Sequence, residues 1–228
     1  MICFVFAMDS EAKFLLEAFP HECVKYGFAK RYICHGPKGD FLVVISGIGK
    51  VFAAAGLSAV LAKEGEQIKC VINLGVGGSL DGKKAPFFSC LIGENYLQHD
   101  LDTSPIGDPV GMVSGINVIR FLGDKDLISS LANVCLKNDV EAVFGTIASG
   151  DQFIADADSK KKILSTFSDV ISVDMESASF AQVAYCYNVP FVAARFVSDV
   201  DNSGEYALNL PRCASLLAQV ALTIIRNA

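Results

Sequence analysis

Ile2-Cys3-Phe4-Val5-Phe6, followed by Ala12, Leu15, Leu16 and Phe19, sets the architecture within the opening stretch of the chain. A run apolar on both faces marks a strand covered from above and below, and the i, i+3, i+4, i+7 spacing after it marks one face of a helix. Asp9 is placed to cap that helix and Pro20 to end it. The same alternation continues outward. Tyr32-Ile33-Cys34 and Phe41-Leu42-Val43-Val44-Ile45 read as a hairpin joined through Gly36-Pro37-Lys38-Gly39. Gly47 to Gly49 turns the chain into an Ala-rich helix over about Val51 to Ala62, and Val71-Ile72-Asn73-Leu74 is a further strand running into Gly75-Val76-Gly77-Gly78. Strands are expected over 141–147, 170–173 and 191–197, with helices over 177–187 and 210–225. Doubly covered strands followed by helices imply an α/β fold: one three-layer α/β/α domain spanning 1–228 around a mixed, largely parallel central sheet. The stretch 81–115 is the least regular, rich in turn formers such as Gly93, Pro105, Gly107 and Pro109, and is expected to flank an active site or a subunit contact.

Composition narrows the functional classes. Of 228 residues, 52% are apolar and 19% charged, which excludes disorder, collagen and coiled coil. The formal charge is −6, and no basic run exceeds Lys160-Lys161-Lys162, so a nucleic-acid polymer is not an expected partner. The eight cysteines are scattered without a CxxC pair and mostly lie in apolar stretches. They read as small buried hydrophobes of a reducing, cytoplasmic compartment. No basic segment precedes the first strand, so no leader is expected. The longest charge-free segment, Ser177 to Ala194, is broken by Gln182, Asn188 and Pro190, and reads as a helix and a strand rather than a membrane span.

Two glycine segments suggest phosphate binding but fit neither strict motif. Ser46-Gly47-Ile48-Gly49-Lys50 lacks the gap and the Ser/Thr of a P-loop, and Gly75-Val76-Gly77-Gly78-Ser79 lacks the third glycine of the dinucleotide fingerprint. Both read as strand-to-helix turns. Two explanations stand: close approach of helix to strand, or a wall of backbone N–H groups facing a small ligand beyond the strand ends.

Three carboxylates mark the ends of three strands. Glu11 follows the first, Glu176 ends Val173-Asp174-Met175-Glu176, and Asp199 ends Arg195-Phe196-Val197-Ser198-Asp199. Singly, each could serve a helix N-terminus. Taken together with Phe6-Ala7-Met8-Asp9-Ser10-Glu11, Ser46-Gly47-Ile48-Gly49-Lys50 and Ser149-Gly150-Asp151-Gln152-Phe153-Ile154, their order and spacing resemble the 5′-methylthioadenosine/S-adenosylhomocysteine nucleosidases of the purine nucleoside phosphorylase superfamily. The resemblance runs from the first strand to the last helix.

It implies a homodimer that hydrolyses the adenine–ribose bond of 5′-methylthioadenosine, S-adenosylhomocysteine and also 5′-deoxyadenosine, with no metal and no cofactor. Adenine leaves poorly unless N7 is protonated, and the match puts Asp199 there; a free Asp titrates near pH ~4, so the site must hold its proton by desolvation or a hydrogen bond. Glu176 resembles the carboxylate that grips the ribose hydroxyls and opposes the oxocarbenium charge, and Glu11 the base that activates water. The resemblance makes Phe153 the ring stacked on adenine, Ile154 its backbone partner and Met175 the floor beneath the sugar. It also puts Met8, Ile48, Val76, Gly77, Ser198, Arg195 and Ile106 along the substrate. Considered alone, Phe153 and Met175 are equally explained as core packing.

Water rather than phosphate is the expected acceptor. No arginine precedes Arg31, and a dianion beside two carboxylates would be repelled. Asp199, where 6-oxopurine enzymes usually carry Asn, favours a 6-aminopurine. The chain departs from the family at Val76, where a serine or another small residue is common, and at Ile106, where an aromatic is common; His99-Asp100-Leu101-Asp102-Thr103 resembles the segment that lines the 5′ pocket of the neighbouring subunit. Only His21 and His35 accompany His99, so no metal cluster is expected. The competing readings are a non-catalytic adenosine-binding module, a phosphorylase and a futalosine-type hydrolase.

Overall fold

The computed structural model describes residues 1–227. In chain order the elements are β1 (Ile2–Phe6), α1 (Asp9–Glu17), β2 (His21–Tyr26), β3 (Ala29–Gly36), β4 (Gly39–Ile45), α2 (Lys50–Glu64), β5 (Cys70–Ser79), β6 (Cys90–Gln98), β7 (Phe121–Leu122), α3 (Lys125–Lys137), β8 (Ala142–Ser149), α4 (Ala157–Thr166), β9 (Val170–Asp174), α5 (Ser177–Tyr187), β10 (Phe191–Asp199) and α6 (Ser203–Asn227). All ten strands share one mixed sheet. Strands β1, β5 and β10 are parallel neighbours, and β6, β8 and β9 form a second parallel set. β5 pairs with both β10 and β9, while β10 also pairs with β6, so these five strands close into a ring. β7 pairs with β6, and the other four strands extend from the ring as β5-β1-β4-β3-β2.

Helices cover both faces, as the doubly apolar strands require. One layer holds α1, α3 and α6, which bury Leu15, Leu131, Val134, Leu217 and Ile224 against Phe4, Phe6, Ile72 and Phe196. The other holds α2 and α5, which bury Leu57, Val60, Phe180 and Ala181 against Val5, Val44 and Val71. Each large apolar side chain removed from water contributes about 1.5–3 kcal/mol, so alternate residues of β1 stabilise opposite layers. By length and composition α6 could cross a membrane, but its apolar side lies on the sheet, with Cys213, Leu217, Val220 and Ala221 buried.

Four features differ from the sequence expectation. Gly75-Val76-Gly77-Gly78 is no turn into a helix; it continues β5 to Ser79 in register with β10. The irregular stretch 81–115 contains β6, one of the ring strands, whose pattern is interrupted where Glu94 bulges between Gly93 and Asn95. α6 begins at Ser203 rather than near residue 210; Pro211, which reads as a helix start, sits exposed inside the helix. Finally, Met8 rather than Asp9 occupies the cap position of α1. Asp9 is already helical and pairs with Lys30 at 2.7 Å, and the Glu11 carboxylate accepts the cap's N–H instead.

Candidate active site

The topology gathers strand ends. β1, β5 and β10 finish on the same edge of the sheet, and β9 meets the end of β5 through Gly78–Val173 and Ser79–Ser172. A cavity of about 290 Å³ opens there, lined by Met8, Glu11, Ile48, Val76, Gly77, Phe153, Ile154, Met175, Glu176, Ser198 and Asp199. Its wall also includes Ala7, Gly78, Gln152, Val173, Asp174 and Tyr206. The wall thus carries four carboxylates and, among the described residues, no Lys, Arg or His.

Each carboxylate is held differently. Glu11 is 2% exposed. Its Oε2 accepts from the backbone N–H groups of Ala7 at 3.1 Å and Met8 at 3.0 Å, and its Oε1 accepts from Val76 at 3.0 Å. A carboxylate offers about four lone-pair sites, so one remains for a further donor. Glu176 takes its orientation from the glycine segment 127 positions away: its Oε1 accepts from the Gly49 N–H at 2.9 Å. Gly49 has φ +93°, a left-handed conformation that favours glycine, and this turn aims the N–H at the carboxylate. Asp199 accepts a hydrogen bond from the Ser198 hydroxyl at 2.7 Å and rests on Gly78, where an added Cβ would lie 2.9 Å from Asp199 Oδ2.

Behind the cavity lies Arg195, fully buried. Its Nε donates to Asp174 at 2.6 Å, its Nη2 donates to Asn73 Oδ1 at 2.8 Å, and Nη2 stands 3.6 Å from Glu176 Oε2. Among the described residues its Nη1 has no hydrogen-bond partner. Asp174 also accepts from the hydroxyls of Ser149 and Ser177. The second glycine segment now has a physical reason. A Cβ on Gly75 would fall inside Arg195 Nη1 and lie 2.8 Å from Glu11 Oε1, so this glycine makes room for a guanidinium and a carboxylate.

Three carboxylates share that one guanidinium, and Asp174 holds the direct contact. The electrostatics of the other two follow. Burial pushes Glu176 up to about 7, opposed by Arg195 and reinforced by Asp174. Burial likewise raises Glu11, against the pull of Arg195 and of the three backbone N–H groups. Asp199 is raised by burial too, opposed by the Ser198 hydroxyl and by the charge of Lys160. A pocket in which burial raises three acids above their ordinary range is suited to proton transfer.

The phosphorylase superfamily model matches residues 1–226. The 5′-methylthioadenosine/S-adenosylhomocysteine nucleosidase of Haemophilus influenzae (strain PittGG) is 34% identical over 187 residues, 82% of this chain and 79% of that protein. The chain belongs to this nucleosidase family of the phosphorylase superfamily. The nucleosidase of Neisseria meningitidis, solved with methylthio-immucillin-A, superposes with a TM-score of 0.93 at 28% identity, covering 100% of this chain and 99% of that one. The futalosine hydrolase of Helicobacter pylori strain 26695 superposes with a TM-score of 0.92 at 25% identity, covering 100% and 97%.

In this nucleosidase family member the three carboxylates read from sequence do meet in one cavity, with eight further expected residues: Met8, Ile48, Val76, Gly77, Phe153, Ile154, Met175 and Ser198. Two expected residues stand elsewhere. Arg195 does not line the cavity; its guanidinium is spent on Asp174 and Asn73 behind the wall. Ile106 sits in the short turn Ser104–Ile106, 81% exposed and away from the lining. His99 is likewise outside it, lying against Gly150. Among residues not singled out, Tyr206 packs edge-on against Phe153 at 5.6 Å and donates to the Met8 sulfur at 3.4 Å. Asn73, fully buried, binds Val5 O and Arg195. An amide in the middle of Val71-Ile72-Asn73-Leu74 was a readable signal, because a buried polar side chain requires a partner. Tyr206 had no such signal, since Pro211 masks the helical turns that carry it.

Proposed function

We propose that this protein hydrolyses the N-glycosidic bond of 5′-methylthioadenosine and S-adenosylhomocysteine, releasing adenine and the 5′-thioribose product, and that 5′-deoxyadenosine is also a substrate. The observation that carries this reading is the convergence of Glu11, Glu176 and Asp199 on one cavity, with three different modes of support. In this assignment Asp199, whose acid form burial favours, donates to N7 as adenine departs. Glu176, poised at about 7, meets the ribose hydroxyls; positive charge growing on the sugar draws it toward the ionised form, which then opposes that charge. Glu11 uses its remaining lone pair to orient and deprotonate the attacking water. Phe153 stacks on the base with Ile154 beside it, Met175 lies beneath the sugar, and Met8, Ile48, Val76, Gly77 and Ser198 complete the contact. Arg195 acts through Asp174 and Glu176 as a positioning residue.

Water is the acceptor in this reading because an acidic wall without a basic side chain repels a phosphate dianion. We further assign the protein to the cytoplasm, supported by eight cysteines that are all unpaired, and to a homodimer, supported by apolar side chains left in solvent: Ile48 of the cavity lining, and Val51 and Phe52 just after it in the chain, are 51%, 76% and 44% exposed. A futalosine-type substrate is the second reading, favoured by the Helicobacter pylori neighbour.

One assay decides between them: base release from methylthioadenosine, adenosylhomocysteine, 5′-deoxyadenosine and a futalosine-type nucleoside, with and without phosphate. Adenine freed from the 5′-thioadenosines in phosphate-free buffer is the expected result. A phosphate requirement would move the protein to the phosphorylases, turnover confined to the futalosine type would select the second reading, and no turnover of any nucleoside would leave a binding module.

A further inference from the structure

The longest basic run of the chain, Lys160-Lys161-Lys162, is divided by its helix. Lys161 and Lys162 are exposed, whereas Lys160 is half-buried on the same face of α4 as the buried Ile163 three residues on. Its Nζ reaches across to the end of β5 and donates to the Ser79 carbonyl at 3.1 Å. The preceding residue, Gly78, is the register partner of Asp199 and lies directly under its carboxyl. The Ser172 hydroxyl donates to the Gly78 carbonyl at 3.0 Å, so α4 and β9 together clamp this strand end.

We propose that Lys160 is a positioning residue for Asp199, anchoring the end of β5 beneath its carboxyl and holding a positive charge beside it. The inference rests on the assignment of Asp199 as proton donor. The groups facing Asp199 come from three elements: Ser198 on its own strand, Lys160 on α4, and Glu205, Tyr206 and Cys213 on α6. Lys160 is the one cation among them and favours the ionised carboxylate; Glu205 favours the acid. Glu205 is itself occupied by the N–H groups of Val200 and Asp201, at 2.8 and 3.0 Å, and feels Lys160 as well. Removing the lysine charge leaves the Ser198 hydroxyl as the one remaining group of this set that favours the carboxylate, and Asp199 should keep its proton to higher pH.

The test is the pH dependence of kcat/KM for adenine release in Lys160→Gln, Lys160→Met and Lys160→Arg. Gln retains a donor for the Ser79 carbonyl without the charge, Met removes both, and Arg retains both. The expected result is an alkaline limb displaced to higher pH in Lys160→Gln and Lys160→Met, so that the ratio of variant to wild-type kcat/KM rises with pH, and an unmoved limb in Lys160→Arg. A limb unmoved in a folded Lys160→Gln, checked by its thermal midpoint, overturns the proposal, as does a kcat/KM in Lys160→Met no lower than in Lys160→Gln, since Met also gives up the bond to the Ser79 carbonyl. Asp199→Asn separates the two levels of the argument: if it retains activity, the proton-donor assignment fails, whereas an inactive Asp199→Asn beside an unmoved Lys160→Gln limb removes only the role of Lys160.

Discussion

Asp199 and Glu176 carry opposite demands on the same dry pocket, and each demand is measurable. Asp199→Asn preserves shape and the contact with Ser198 but has no acidic proton to give. Its kcat should fall by about 10²–10⁴, the usual contribution of a positioned proton donor, with a thermal midpoint at neutral pH no lower than wild type, since burial raises Asp199 too. Glu176→Gln should behave differently. Burial pushes the Glu176 carboxyl up to about 7 from an ordinary value of 4.5, so the folded state binds the extra proton between those values. That contribution is fully present below about pH 4.5 and is lost as pH rises through about 7, at about 1.4 kcal/mol per unit. Glu176→Gln, which cannot ionise, should therefore be more stable than wild type at pH 8 by on the order of 3 kcal/mol, and should lose that advantage at pH 4. Denaturant midpoints at the two pH values check it. These carboxylates were legible because acids at the ends of apolar strands lack a core role. Asp174 was less so, since its partner Arg195 lies 21 positions on and only folding reveals that the pair is buried together.

The glycines show the same coupling at the level of elements. Gly75 lies within a strand, where glycine ordinarily weakens packing, yet Arg195 and Glu11 fill the space of its missing side chain. Gly75→Ala should cost about 1–3 kcal/mol or more by overpacking, and should lower activity by displacing the Glu11 carboxylate. Gly49→Ala places a Cβ at φ +93° and 3.1 Å from Asp151 Oδ1, so the turn must rotate and its N–H must leave Glu176. The expected cost is about 1–2 kcal/mol with a fall in kcat larger than any rise in KM. Both are read by melting and steady-state kinetics. Strands such as β1 and β10 were legible because both their faces are buried, giving continuous apolar runs. β2 was not, because it is an edge strand with its side chains in water. β6 failed for another reason: the bulge at Glu94 flips the alternation midway and makes a ring strand resemble a loop.

At the scale of the whole molecule, the chain leaves apolar side chains in solvent close in sequence to the cavity-lining Ile48. Val51 and Phe52 lie in the first turn of α2, three and four residues after the cavity-lining Ile48, and Phe52 stacks on Phe28 at a ring separation of 4.5 Å, with Phe28 itself 68% exposed. Three aromatic or branched side chains in solvent beside a binding site form the kind of patch a second subunit covers. In the proposed homodimer Ile106, exposed in its own chain, would reach the partner's cavity, where the family resemblance puts this segment. Two substitutions separate assembly from catalysis. Val51→Glu buries a charge in the proposed interface and should convert the dimer to a monomer by sedimentation, while the isolated fold, in which this side chain touches little, melts within about 0.5 kcal/mol of wild type. Ile106→Ser should leave both the assembly and the fold intact. An apolar side chain of this size contributes about 1.5–3 kcal/mol when buried, so its loss from the neighbour's 5′ pocket should raise KM for methylthioadenosine by roughly tenfold or more at nearly constant kcat. A wild-type KM in Ile106→Ser, in a protein that sediments as a dimer, would mean that each subunit closes its own cavity, and Tyr206 against Phe153 would then be the group that bounds the 5′ end.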